Sequence, residues 1–199
     1  MKHVIFDYDG VLVDSFNFHL QKVNEIYNID LTPQEYSDSH DGNFYESKLH
    51  KFSKIDFSNY AEIVSKEQSQ LPLTSGAKEV LIELSHNHEL HLVTSAWQAQ
   101  IVPFLTRHEI LNLFTTRQYA DTGKSKHQKL ERLLHQTNNH VRNFIFITDT
   151  LGDLLEAKQI KLATIAVTFG FHAKDHLQSA SPTYFADSFQ EIRKIIESN

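Results

Sequence analysis

The chain has no cysteine, which excludes a disulfide framework, a thiolate metal site and a cysteine nucleophile. It has no Asn-x-Ser/Thr acceptor, and nothing else points to secretion. The opening MKHVIFDYDG passes from one lysine into a short apolar stretch closed by carboxylates. That leaves no room for a signal-peptide core or for the roughly 20 apolar residues of a membrane span, so the expectation is a cytoplasmic protein with no membrane partner. Lysine and arginine total 19 against 25 acids, a formal net charge of −6, and no basic run interrupts the chain. Nucleic acid is therefore not an expected partner. There is no internal repeat and no sustained heptad, which argues against a solenoid or coiled coil. No Gly-x-Ser-x-Gly elbow is present, so a serine hydrolase has no support. Gly123-Lys124-Ser125 lacks the glycine that a nucleotide-binding P-loop needs five positions earlier, where Gln118 stands.

What the 199 residues do contain is an alternation. VIFDYD, LHLVTS, NFIFITD, ATIAVTF and the weaker TYFAD read as buried strands whose carboxyl ends turn polar. Helical patterns separate them: one capped by Ser75 with Val80, Leu81 and Leu84 on its apolar face, one from Ser125 to Gln136, then Leu151 to Gln159 and Phe189 to Ile196. This predicts an α/β fold, a Rossmann-like core with a mainly parallel sheet flanked by helices. Residues 15–75 lack β-branched runs and show helical spacing instead, at Phe16, Leu20, Val23 and Tyr27, then Phe44, Leu49 and Phe52. They read as a small α-helical cap inserted after the first strand, with residues 1–14 and 76–199 forming the core. The 13 histidines show no metal spacing with a third ligand on a helical pattern, so most are expected at the surface.

In an open parallel sheet, ligands bind beyond the carboxyl ends of the strands. There the first strand ends in Asp7-Tyr8-Asp9-Gly10, the second in Thr94-Ser95, and the third in Asp149 with Asp153 one helical turn later. Carboxylates crowded together repel and need a cation to remain ionised, which points to a hard metal with oxygen ligands, Mg²⁺.

FDYDGVLVDS resembles the first motif of the haloacid dehalogenase superfamily of aspartate-nucleophile phosphohydrolases. Thr94 closing LHLVT, a lysine in GKSKHQ and the acidic pair in TDTLGDLLEA follow in that family's order. The resemblance covers the sheet region and is similar to the phosphoglycolate phosphatase and β-phosphoglucomutase branch. It implies a Mg²⁺-dependent phosphatase of small phosphorylated metabolites working through an aspartyl-phosphate. Asp7 would be the nucleophile and Asp9 the acid and base, so that Asp7 is ionised while Asp9 holds a proton at the first step. Thr94, Ser95 and Lys124 would bind the phosphoryl group, with Lys126 as the alternative lysine. Asp7, Asp149 and the main-chain carbonyl of Asp9 would hold Mg²⁺, with Asp153 orienting a bound water or the lysine. A phosphotransferase acting on sugar phosphates, or a non-catalytic binding protein on the same fold, are the alternatives. Substrate choice is expected in the cap, at Asn17, His19, Asp41, Asn43 and Lys48, with Trp97 available to stack on a substrate or to anchor a helix start.

Overall fold

A computed structural model describes residues 1–43, 50–52, 55–57, 59–123 and 125–198. Among these residues six strands form one parallel sheet: β1 (His3–Phe6), β2 (Glu89–Val93), β3 (Phe114–Gln118), β4 (Phe144–Thr148), β5 (Ala163–Val167) and β6 (Tyr184–Ala186). The spatial order is β3-β2-β1-β4-β5-β6, the doubly wound arrangement in which the chain reverses direction across the sheet beside its first strand. Five of the six are the expected apolar runs. The exception, β3, is an edge strand whose central Thr115, Thr116 and Arg117 are not buried, so no hydrophobic run marks it.

The helices are α1 (Phe16–Tyr27), α2 (Pro33–Asp38), α3 (Tyr60–Gln68), α4 (Ala77–Ser85), α5 (Gln98–Arg107), α6 (Lys126–Thr137), α7 (Leu151–Gln159), α8 (Lys174–Gln178) and α9 (Phe189–Glu197). Alternation along β1 assigns its residues to two cores. Val4 and Phe6 pack with α4, α5 and α9 through Leu81, Phe104 and Phe189, and Ile5 packs with Leu130 and Leu133 of α6 and Ala157 of α7. A third cluster, around Val23, Tyr36, Tyr60 and Val64, belongs to α1–α3. Helix α4 begins one residue later than Ser75 would dictate. Its N-cap is Gly76, in a left-handed conformation (φ 76°), with no side-chain cap.

His3, His19, His91 and His172 are buried, while the other histidines whose burial is described are half-buried or exposed. His172 and His176 also stand four apart beside Asp41, with His172 in the turn before α8 and His176 within it.

Candidate active site

The strand order brings the acids together. Asp7 directly follows β1 and Asp149 directly follows β4, and these are parallel neighbours in which Phe6 pairs with Ile147. The Asp7 N–H donates to the Ile147 carbonyl at 2.9 Å, so the ladder extends to the first acid. Thr94 follows β2 on the other side of β1. The reversal of strand order beside β1 leaves a crevice at this rim, and it is lined by Asp7, Asp9, Thr94, Ser95, Lys126 and Asp153.

Lys126, the first residue of α6, is buried with its ammonium between the carboxylates of Asp7 and Asp153. Burial works against its charge, but Asp153 and Asp7 hold its pKa above the ordinary lysine value. Lys124 lies outside the described residues, and the lysine that the structure brings to Asp7 is Lys126. Asp153 also accepts from the Thr148 hydroxyl at 2.6 Å. Burial alone would raise its pKa, but Lys126 and these hydrogen bonds outweigh that and keep it low. Its observed contacts are thus those of a group that orients the lysine. Thr94 is buried, and its hydroxyl accepts from the Ala96 N–H at 3.0 Å. Behind it the buried Lys129 donates to the Thr94 carbonyl, a contact that sequence reading missed because Lys129 lies on the otherwise apolar face of α6.

Asp149 is fully buried and half satisfied. Its Oδ2 accepts from the Phe171 N–H at 2.7 Å, while Oδ1 has no partner among the described residues. Burial, then Asp153, raises its pKa to about 7 against the opposing Phe171 N–H. Asp7 is raised as well, by burial and by Asp153 and Asp149, despite Lys126. Gly10 adopts φ 71° where a Cβ would overlap the Asp149 carboxylate, so the backbone after the first motif closes onto this acid as only glycine allows. Two buried carboxylates, one with a bare oxygen, form a donor set suited to a hard divalent cation.

Asp9 points the other way, into the helical segment. Its Oδ1 accepts from the Ser15 hydroxyl (2.7 Å) and the Gln68 amide (3.3 Å), and meets His19 Nε2 at 3.1 Å. His19 Nδ1 in turn meets the Tyr60 hydroxyl at 2.7 Å. Burial would raise the Asp9 pKa, but His19 and the Ser15 hydroxyl outweigh it, and the pKa is lowered. The two shifts run opposite to the roles that the resemblance implies. As the side chains stand, the pKa of Asp9 is lowered by its partners and that of Asp7 is raised by burial. Tyr60 and Gln68 carry no motif, and the packing of α3 against α1 and α5 places them here.

Of the residues expected to meet substrate, His19 and Asn43 line the crevice, together with Trp97, Tyr36, Tyr60, Phe57 and Phe171. Trp97 also stands at the start of α5, where its N–H donates to Gln100. Asn17 is exposed, Asp41 pairs with His176, and Lys48 lies outside the described residues.

Residues 4–167 match the family described as haloacid dehalogenase-like hydrolase. The chain is 24% identical to the phosphoglycolate phosphatase of Synechococcus elongatus, over 98% of this chain and 97% of that protein. Its fold superposes on a hydrolase from Pseudomonas syringae with a TM-score of 0.82 at 17% identity, covering 100% and 99% of the two chains. It superposes on CbbY from Rhodobacter sphaeroides in complex with phosphate with a TM-score of 0.80 at 17% identity, covering 96% of each. No helix among the described residues is long and apolar enough to cross a membrane.

Proposed function

Since the chain belongs to the haloacid dehalogenase-like hydrolase family, we propose that it is a Mg²⁺-dependent phosphatase that hydrolyses a small phosphorylated metabolite through an aspartyl-phosphate on Asp7. The observation that carries this reading is the constellation at the sheet rim. Asp7 stands against Lys126, with the half-satisfied carboxylate of Asp149 on the neighbouring strand. The similarity over nearly the whole chain to a phosphoglycolate phosphatase supports the same reaction class. Residues 15–75 act as the cap over a core made of 1–14 and 76–199.

A carboxylate oxygen of Asp7 attacks phosphorus in line while the bond to the ester oxygen breaks, and the leaving oxygen takes a proton from Asp9. The Ser15 hydroxyl, the Gln68 amide and His19 Nε2, 3.1 Å away, hold the Asp9 carboxylate in the crevice and lower its pKa. Water then attacks the aspartyl-phosphate, Asp9 accepts its proton, and Asp7 and phosphate are released. The Thr94 hydroxyl, Ser95 and the Lys126 ammonium hold the phosphoryl oxygens as charge spreads over them. The carboxylates of Asp7 and Asp149 and the main-chain carbonyl of Asp9 would hold Mg²⁺, with Asp153 fixing Lys126. The ion supplies neutralisation for the phosphate oxygens and lets both acids stay ionised.

Phosphate release from a panel of phosphomonoesters, with and without Mg²⁺ and beside Asp7→Asn, tests the reading. Release that needs both the metal and Asp7 is expected. Release by Asp7→Asn at the wild-type rate overturns the nucleophile, and wild-type inertness across the panel overturns the phosphatase.

A further inference from the structure

At the opposite end of β1 from Asp7, three potential metal ligands converge. His3 of β1 is paired in register with Glu89 of β2, and Ile5 with His91, so His3, Glu89 and His91 project to the same face of the sheet. His3 Nδ1 lies 3.1 Å from His91 Nε2 and 3.3 Å from Glu89 Oε2, and the last two are 3.9 Å apart. Two nitrogens and an oxygen held by metal bonds of 2.0–2.2 Å at tetrahedral angles stand about 3.4 Å from one another. The observed separations bracket that value.

We propose that His3, Glu89 and His91 form a second metal site, selective for a borderline divalent transition metal such as Zn²⁺ and separate from the carboxylate rim. The donor set carries the selectivity, because imidazole with one carboxylate suits zinc, whereas Mg²⁺ prefers an all-oxygen set. A cation serves all three donor atoms at once, where a single shared proton serves two. The rings are rigid. His3 stacks on Phe144 with centroids 4.3 Å apart, and His3 and His91 are 3% and 0% exposed. Glu89 is 37% exposed, which gives the ion an entry route and a water its fourth position. Bound there, the ion ties β1 to β2 at the start of the sheet.

The other cluster of this kind, Asp41, His172 and His176, does not offer three lone pairs. His172 Nδ1 accepts from the Leu151 N–H at 2.9 Å, so its Nε2 carries the proton and donates to the Ser37 carbonyl at 3.0 Å.

Zinc titration against a chromophoric chelator in excess Mg²⁺ tests the proposal on the full chain. A single zinc ion per chain is expected in the wild type and in Asp149→Asn, which alters only the rim. Affinity should fall roughly tenfold or more in His91→Gln and Glu89→Gln, since even an outer partner of a ligand costs that much when removed. Glu89→Gln changes a half-exposed side chain and keeps the test valid if His91→Gln fails to fold. Zinc retained at wild-type affinity by either folded variant, or no zinc bound by the wild type, overturns the site and leaves a hydrogen-bonded histidine pair.

Discussion

Asp7 and Asp149 are pushed toward their protonated forms by burial, and the fixed cation beside Asp7 is Lys126. Removing that charge strips the developing phosphoryl negative charge of its partner. Lys126→Met is therefore expected to slow phosphate release about a hundredfold or more, with Lys124→Met close to the wild type. Steady-state rates for the two variants check this, and the reverse order would move the role to Lys124. Lys129 offers a separate reading on stability. Burial, then the neighbouring Lys126, lowers its pKa to about 8, while the unfolded chain keeps a lysine value near 10.4. Between those values the unfolded state binds the extra proton, so this group makes stability rise as pH rises from about 8 to 10, by up to about 3 kcal/mol. Below that window both states are protonated and the term is constant. Urea midpoints across the window should climb in the wild type and lose this rise in Lys129→Met; equal slopes would show that Lys129 does not titrate there.

On one side the elements meet backbone to backbone. The first turn of α7 runs so close to the turn after α2 that a Cβ on Gly152 would overlap the Gly42 carbonyl, and the Gly152 N–H donates to the His40 carbonyl at 3.1 Å. On the other side α3 joins α5, where the Ser65 hydroxyl donates to the Ala99 carbonyl at 2.7 Å and the Gln100 amide to Gln68 at 3.0 Å. Gln68 also reaches Asp9, so the packing of α3 bears on the acid as well as on the cap. Gly152→Ala forces α7 and the 40–42 turn apart. It should cost about 1–3 kcal/mol of stability and slow phosphate release about tenfold to a hundredfold. A thermal melt beside a rate assay separates the two, and an unchanged rate in a folded variant would show that the seam does not position the site. The elements hardest to foresee lie nearby. Helix α5 carries Pro103 in its interior, which by propensity argues against a helix, and edge strand β3 has no apolar run.

Across the whole molecule, one cation would join chain segments more than a hundred residues apart, since Asp7 and Asp149 come from opposite ends of the sequence. An ion that binds only the folded state stabilises it by mass action, by about 2.7 kcal/mol at a hundredfold excess over Kd. For a chain of this length that amounts to roughly 5–10 °C in Tm. Mg²⁺ should therefore raise the melting temperature of the wild type, and the increment should vanish in Asp149→Asn. An increment that survives the substitution would place the ion elsewhere.

Much of this architecture follows from local pattern. Four-residue apolar runs buried on both faces have few solutions other than parallel strands, and their polar ends name Asp7, Asp9, Thr94, Asp149 and Asp153 before any coordinate is known. Phe16, Leu20, Val23 and Tyr27, spaced as a helix, fall in α1 for the same reason. Side-chain partnership has no such local signature. That Lys126 reaches Asp7, that His19 meets Asp9 and lowers its pKa, and that His3 meets His91 across two strands depend on register and helix packing. Those are set by contacts between residues far apart in the chain, and periodicity along the sequence carries no information about them.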